Sequence, residues 1–128
     1  MSIKNQRFLG SLKISQKVII LIEYSDFTKL KMKVGIITEV VRVENTQKLY
    51  KIQVNMGENT IQIVSSLVPY YSIEELLNKK IVVLTNLKPT KFRGELSEGM
   101  LLCAETNDES ECVLLSVDKD IAVGTSIT

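Results

Sequence analysis

Residues 50–64 alternate apolar and polar side chains with a period of two, on both sides of a short turn sequence. The apolar residues stand at positions 50, 52, 54 and 56, and Ile61 and Ile63 continue the alternation after Gly57-Glu58-Asn59. Glycine and asparagine favour tight turns because they tolerate positive φ angles. Such alternation places one face of each strand against a core and the other in solvent. The segment therefore predicts an antiparallel β-hairpin with one buried face.

Further strands and one helix are predicted around this hairpin. A helix is expected to begin after Ser72, because Ser72 and Glu75 have the spacing of a capping box. A second short helix is predicted within residues 25–30. Four more segments are rich in β-branched or other apolar residues and predict strands, the first with a bulge at Gly35: Val34–Val43, Ile81–Leu84, Met100–Ala104 and Val113–Val117.

Five or more short strands with one inserted helix predict a small closed β-barrel. At 128 residues the chain is long enough for one domain with a hydrophobic core of its own. The leading architecture is all-β, the five-stranded barrel of the oligonucleotide/oligosaccharide-binding (OB) fold with N- and C-terminal extensions. A β-sandwich is the alternative, but it does not account for the helix. We assign residues 1–24 to the N-terminal extension and residues 25–128 to the barrel domain.

The apolar run Val18–Ile22 in the N-terminal extension predicts a buried strand. It is shorter than the roughly 20 apolar residues of a membrane span and the roughly 7–15 of a signal-peptide core. Lys13 and Lys17 prevent any longer run. We therefore expect a cytoplasmic protein that does not enter a membrane.

The absence of histidine excludes several classes of enzyme. No histidine occurs in the chain, which removes His-based catalytic triads and the common zinc sites. Cys103 and Cys112 are too few for a Cys₄ zinc site, and their apolar neighbours indicate buried, unreactive thiols. We expect no catalytic residue, no metal and no cofactor.

Positive charge is concentrated locally in a chain whose net charge is only +1. Residues 79–93 carry five basic residues and no acidic one. Within them Lys88, Lys91 and Arg93 fall on a predicted long loop over residues 86–100, which Pro89 stiffens and Gly94 allows to bend. Such a loop can hold three cations near a phosphate backbone, with Asn86, Ser97 and Met100 as hydrogen-bonding and apolar neighbours; a structural loop with solvated lysines fits the same residues.

The same segment resembles a known signature. Asn86-Leu87-Lys88-Pro89, Arg93-Gly94 and Ser97-Glu98-Gly99-Met100 are similar to the tRNA-binding domain found at the C-terminus of methionyl-tRNA synthetases and in free-standing tRNA-binding proteins. The chain differs in having Thr90 where Arg is common and Glu98 where Gln is usual. The resemblance extends over residues 25–128 through four further segments: Lys33–Ile36, Asn45–Tyr50, Gln62–Ser66, and Asp118-Lys119 followed by Gly124-Thr125.

This resemblance implies a non-catalytic protein that binds tRNA by its shape. Basic side chains would contact phosphates, polar ones would hydrogen-bond ribose or base edges, and two would make apolar or stacking contacts. The phosphate-contacting residues would be Lys33, Lys48, Lys88, Lys91 and Arg93. The hydrogen-bonding residues would be Ser65, Asn86 and Ser97, and the apolar or stacking residues would be Tyr50 and Met100. Core positions are the alternative interpretation for Tyr50 and Met100.

The resemblance also implies partners. We expect a homodimer that acts as the β subunit or an accessory factor of a methionyl-tRNA synthetase and raises its affinity for tRNA. The apolar N-terminal extension is expected to pack on the barrel, on a dimer mate or on the synthetase. The alternative function is a dimeric OB-fold protein-binding module similar to a secretion chaperone.

Overall fold

A computed structural model describes residues 19–128 of the chain. The described part contains two short helices and nine strands, and five of the strands form one antiparallel sheet in the order β3-β2-β1-β4-β7. The elements are α1 Tyr24–Phe27, β1 Met32–Arg42, β2 Tyr50–Asn55, β3 Thr60–Ser65, α2 Ile73–Leu76, β4 Lys80–Leu84, β5 Thr90–Phe92, β6 Glu95–Ser97, β7 Met100–Leu101, β8 Cys103–Glu105 and β9 Cys112–Leu114.

Strand β1 is long enough to pair with two strands, β4 and β2, along different parts of its length. Its first half pairs with β4, from Met32 opposite Leu84 to Ile36 opposite Lys80. Its second half pairs with β2 and ends with Arg42 opposite Tyr50. The bulge predicted at Gly35 lies instead between residues 37 and 39, where the register with β2 shifts.

The predicted hairpin over residues 50–64 is confirmed. β2 and β3 pair from Tyr50 opposite Ser65 to Asn55 opposite Thr60. The turn between them places Gly57 at a φ of 96° and is closed by the amide of Met56, which donates to the carbonyl of Asn59 at 2.8 Å. The apolar face of this hairpin enters the core, as the alternation predicted.

The core fills the inside of the curved sheet and is covered at one end by α2. Ile37, Ile52 and Ile81 are fully buried there. The capping box predicted at the start of α2 is confirmed, because Ser72 Oγ accepts from the amide of Glu75 and Glu75 Oε1 accepts from the amide of Ser72. The helix spans four residues, and Leu76 at its end is fully buried in the core.

The barrel is closed between β3 and the segment that joins β6 to β7. Here β3 is bonded partly through side chains: the amide of Val64 donates to Ser97 Oγ at 3.0 Å, and the amide of Gln62 donates to Glu98 Oε1 at 2.9 Å. The amide of Glu98 returns a bond to the carbonyl of Gln62 at 2.7 Å. The predicted five-stranded OB-like barrel is therefore confirmed, and side chains hold part of its seam.

Three further sequence predictions differ from the structure. The segment 86–100, predicted as one long loop, contains the hairpin β5–β6. The strand predicted over 100–104 is divided into β7 and β8. The buried strand predicted for the apolar run is wrong for Ile19–Ile22, which form no strand and are 67–85% exposed, while Val18 lies outside the described residues.

Within residues 19–128 no helix is both long and apolar enough to cross a bilayer. The described residues include only positions 19–24 of the predicted N-terminal extension, so its boundary with the barrel domain stays a prediction.

Candidate nucleic-acid interface

Strands β5 and β6 form a tight hairpin, called the cationic hairpin below because it carries Lys91 and Arg93. The hairpin is tight because two consecutive residues at its tip adopt positive φ angles. Arg93 has a φ of 53° and Gly94 a φ of 82°, and they lie between Phe92 and Glu95, which face each other across the two strands. Two positive φ values in a two-residue turn are the requirement of a type I′ turn, whose twist matches that of the flanking strands. Arg93 is thereby fixed at the exposed tip of the hairpin.

Asn86 anchors the start of the segment to the neighbouring chain. Its Oδ1 accepts from the amide of Lys31 at 2.9 Å, and its Nδ2 donates to the carbonyl of Lys29 at 2.7 Å. The side-chain amide predicted to contact RNA is thus already engaged within the protein at both ends. Its role in this structure is to hold the approach to the cationic hairpin in place.

An open groove of about 370 Å³ lies between β3 and the cationic hairpin. Four of the predicted site residues meet at it: Ser65, Lys88, Ser97 and Met100. Among residues 19–128, no aspartate or glutamate lines the groove, and Lys88 is the charged residue on its wall. The remaining lining residues are Leu49, Ile63, Val64, Ser66, Leu87, Thr90, Phe92, Gly99 and Leu101.

Ser97 belongs to the floor of the groove. It is only 6% exposed. Its hydroxyl accepts from the amide of Val64 and donates to the carbonyl of Gly99 at 3.2 Å. Both functions of the hydroxyl are used, so Ser97 shapes the groove by joining its two walls.

Lys91 and Arg93 lie on the hairpin that forms the rim of the groove. Since Thr90 and Phe92 line the groove, the alternation of side chains along β5 turns Lys91 to the opposite face. Glu95, the nearest acidic residue in sequence, is held by Lys51 at 3.5 Å. In the part of the chain that the structure describes, no carboxylate lies within ion-pair distance of Lys88, Lys91 or Arg93.

Three other predicted residues lie away from the groove. Lys33 is half-buried on β1 and lines a separate depression together with Glu58. Lys48 is exposed beside Leu49, which itself lines the groove. Tyr50 is 4% exposed in the core, where its hydroxyl donates to the carbonyl of Tyr71 at 2.7 Å, as its alternative interpretation predicted.

The structure adds groove residues that the sequence reasoning missed, above all Leu87 and Phe92. Both are exposed hydrophobic side chains on the groove wall. A signal for Phe92 was present in the sequence, because an aromatic residue between Lys91 and Arg93 is the interleaving of ring and cation that nucleic-acid-binding surfaces use.

The two cysteines do not line the groove. They are half-buried on the hairpin β8–β9 and pack against the core. Burial, followed by the neighbouring Cys112 and Glu105, raises the pKa of the Cys103 thiol to about 12. A thiol of this kind is protonated at neutral pH and is a poor nucleophile. Among the described residues no cluster of three metal-ligating side chains occurs.

The described residues form a small OB-like barrel domain, whose five-stranded sheet is closed at the seam beside β3. Beside this seam lies a groove that none of their acidic residues lines, with the cationic hairpin at its rim. The chain belongs to the family described as "Putative tRNA binding domain", whose model matches residues 32–126. The resemblance found in the sequence is thereby confirmed.

Relatives of known sequence are methionine–tRNA ligases. That of Methanocaldococcus jannaschii is 43% identical over 106 residues, which are 83% of this chain and 16% of the ligase. That of Nanoarchaeum equitans is 45% identical over 107 residues, or 84% of this chain and 14% of the ligase. The chain thus corresponds to a small part of each ligase.

Solved structures show the same fold in separate proteins. A MetRS related protein from Pyrococcus horikoshii matches with a TM-score of 0.81 and 35% identity, covering 86% of this chain and 100% of that one. The CsaA chaperone protein from Picrophilus torridus matches with a TM-score of 0.76 and 32% identity, covering 84% and 100%. This chain is therefore a tRNA-binding-family domain related both to part of the methionine–tRNA ligases and to CsaA.

Proposed function

We propose that this protein binds tRNA along the groove and its cationic rim, does no chemistry on it, and raises the tRNA affinity of a methionyl-tRNA synthetase as its β subunit or accessory factor. The observation that carries the proposal is the groove between β3 and the hairpin. In the part of the chain that the structure describes, no acidic residue lines this groove, and the bordering Lys88, Lys91 and Arg93 have no carboxylate partner. Membership of the family supports tRNA as the ligand.

The rigidity of the hairpin supports tight binding of phosphates. The type I′ turn fixes Arg93, and Asn86 fixes the approach to Lys88, so few backbone rotations are lost when RNA docks. Phosphate contacts position a protein on RNA without reading sequence, which fits recognition of the folded shape of tRNA. Lys33 and Lys48, which lie off the groove, would extend the contact to neighbouring phosphates.

Three members of the predicted site act by supporting this surface, two of them buried and one, Asn86, exposed. Ser97 and Asn86 use their hydrogen-bonding atoms within the chain, and Tyr50 is enclosed in the core. Ser65 and Met100 line the groove and remain available to ribose or base. The proposed contact surface is therefore made of Ser65, Lys88, Lys91, Arg93 and Met100.

A salt series with charge-matched variants tests the proposal. Lys88→Ala and Lys119→Ala each remove one exposed cation, but only Lys88 lines the groove. Lys88→Ala should weaken tRNA binding and make the slope of log K against log salt shallower by about 1, while Lys119→Ala leaves the slope unchanged. The wild-type slope should be about −2 to −4, as for three to four phosphates. Equal effects of the two variants, or none, would refute this binding face.

Homodimer formation and the synthetase partner are parts of the same proposal, together with a cytoplasmic location. The exposed aliphatic side chains of Ile19–Ile22 support a contact with another protein surface, because such a cluster is unfavourable in water. Analytical ultracentrifugation of the full chain, alone and with a purified synthetase catalytic chain, tests both associations. A monomer that does not co-sediment with the synthetase chain would remove them and leave tRNA binding standing.

Chaperone-like binding of unfolded proteins is the second candidate. The apolar lining of the groove and the similarity to the CsaA chaperone protein favour it. Suppression of the aggregation of an unfolded client, in a protein that does not bind tRNA, would establish this function in place of the first.

A further inference from the structure

Phe92 exposes an aromatic ring on the wall of the groove. The residue is 44% exposed, and all three residues of β5 are exposed. In the described part of the chain the ring–ring contact is Tyr24 with Phe27, and the cation over a ring is Lys79 above Tyr71. The Phe92 ring therefore stacks on no other ring and carries no cation within residues 19–128.

Neither the core nor the turn requires an aromatic residue at this position. Phe92 is not part of the core cluster, and the type I′ turn that follows it depends on Arg93 and Gly94. An exposed ring of this size is unfavourable in water, since apolar surface is stabilised only when it is covered. The groove is also lined by Leu87 and Met100, whose apolar surface can help to cover a flat ligand beside the ring.

The surroundings of the ring select an anionic ligand. Of the described residues, Lys88 and no acidic residue line the groove, and Arg93 follows Phe92 directly at the tip. Flat rings attached to phosphates are the chemistry of nucleotides. In a paired helix both faces of each base are covered by its neighbours, so only an unstacked base can offer a face to a protein ring.

We propose that an unpaired nucleobase of the bound RNA stacks on Phe92 inside the groove while its phosphate contacts Lys88. This inference rests on the proposed RNA-binding function and extends it from the shape of the RNA to one of its single-stranded segments. Stacking needs a π-face and no hydrogen-bond pattern, so every base satisfies it. The site therefore requires an unpaired nucleotide without specifying which one.

Variants of Phe92 test the inference with two RNA probes, a tRNA transcript and a fully paired RNA duplex. Phe92→Ala should weaken binding of the transcript by about 5- to 150-fold, the range of a lost base–aromatic stack. Since the side chain is uncharged, the salt slope should stay at the wild-type value, and binding of the duplex should not change. Leu96→Ala is the matched control, because Leu96 is an exposed apolar residue of the same hairpin and lies outside the groove lining.

A fluorescent variant gives a direct readout of stacking. The chain contains no tryptophan, so Phe92→Trp introduces a single reporter. Its fluorescence should be quenched by the transcript and not by the duplex, and the variant should bind the transcript at least as well as wild type. A tryptophan introduced by Leu96→Trp should not be quenched by either probe. Melting curves of all variants show whether each one folds.

The outcomes separate this inference from the function on which it rests. If Lys88→Ala weakens both probes while Phe92→Ala weakens neither, or both equally, tRNA binding stands and the stacking site is refuted. If Lys88→Ala has no effect on either probe, the proposed binding face itself fails. If Phe92→Ala abolishes binding of an unfolded client protein and leaves the transcript unaffected, the groove is a peptide site and the inference is overturned.

Discussion

Gln62 and Glu98 form a reciprocal pair at the seam of the barrel. The amide of Gln62 donates to Glu98 Oε1 at 2.9 Å, and the amide of Glu98 donates to the carbonyl of Gln62 at 2.7 Å. The side chain of Gln62 adds a third bond by donating from Nε2 to the carbonyl of Leu96 at 2.8 Å. A side-chain oxygen here accepts the amide bond that a backbone carbonyl accepts in a regular strand pair, so the seam depends on the oxygen atom of residue 98.

Two variants of Glu98 distinguish the contribution of its side-chain oxygen atom from that of its charge. Glu98→Ala leaves the half-buried amide of Gln62 without its partner and should lower the free energy of unfolding by about 1 kcal/mol. Glu98→Gln keeps an oxygen at the same place and should change that free energy by less than about 0.5 kcal/mol. Urea denaturation of the three proteins checks both values. Equal losses for the two variants would show that the charge, and not the acceptor, holds the seam.

Ser97→Ala should be more damaging than Glu98→Ala, because the bond it removes is buried. The amide of Val64 would lose Ser97 Oγ, and water cannot easily reach the site. The expected loss in the free energy of unfolding is about 1–3 kcal/mol, measured by urea denaturation. Ser66→Ala is the control, since Ser66 is an exposed neighbour on the same groove and should lose little. A loss for Ser97→Ala no larger than that for Ser66→Ala would contradict the structural role of the hydroxyl.

The fold could be predicted where the periodicity extends over enough residues. The alternation of residues 50–64 and the Ser72–Glu75 capping box each encode one local geometry, and both are present. The hairpin β5–β6 could not be predicted in this way, because its strands have three residues each and its turn uses Arg93 where asparagine would be the usual signal. Ile19–Ile22 were predicted to be buried because an apolar run indicates burial without showing which surface covers it.

The sequence predicted which types of residue lie at the candidate site better than it predicted what each of them does there. The cations around Pro89 and Gly94 were predicted from charge and turn chemistry alone. Asn86 and Ser97 belong to residue types that bind RNA, but the same side chains also satisfy backbone groups in loops, and the structure uses them so. Sequence spacing does not distinguish these two uses, since both require a polar side chain beside an irregular backbone.

Gly35→Ala should destabilise the barrel by overpacking. A Cβ atom at this position would lie 2.6 Å from Met56 Sδ and 2.6 Å from Val54 Cγ1, both on side chains in the core. The Met56 side chain can move only by displacing its neighbours, so the loss in the free energy of unfolding should be about 1–3 kcal/mol. Combining Gly35→Ala with Met56→Ala makes space and should recover part of the loss if the clash is its cause. A double variant as unstable as the sum of the two single variants would argue against this explanation.

The buried thiol of Cys103 should make stability fall at alkaline pH. Its pKa rises from 9.0 to about 12 in the folded protein, chiefly through burial and then through Cys112 and Glu105. Above about pH 9 the unfolded chain releases this proton and the folded protein keeps it, so unfolding becomes more favourable as the pH rises towards 12. Below pH 9 both states hold the proton and the contribution of the group is fully present.

A difference measurement isolates the contribution of this thiol from those of the other ionisable groups in the chain. The free energy of unfolding of wild type minus that of Cys103→Ala should be constant between about pH 7 and 8 and should decline between about pH 9 and 11. Cys112→Ala removes a neighbour that raises the Cys103 pKa, so the decline should be smaller in that background. Alkylation of the folded protein by iodoacetamide near neutral pH should likewise be slow at Cys103, since the thiolate is the reactive form. A difference that stays constant up to pH 11 would mean that the thiol titrates alike in both states and is not desolvated by the fold.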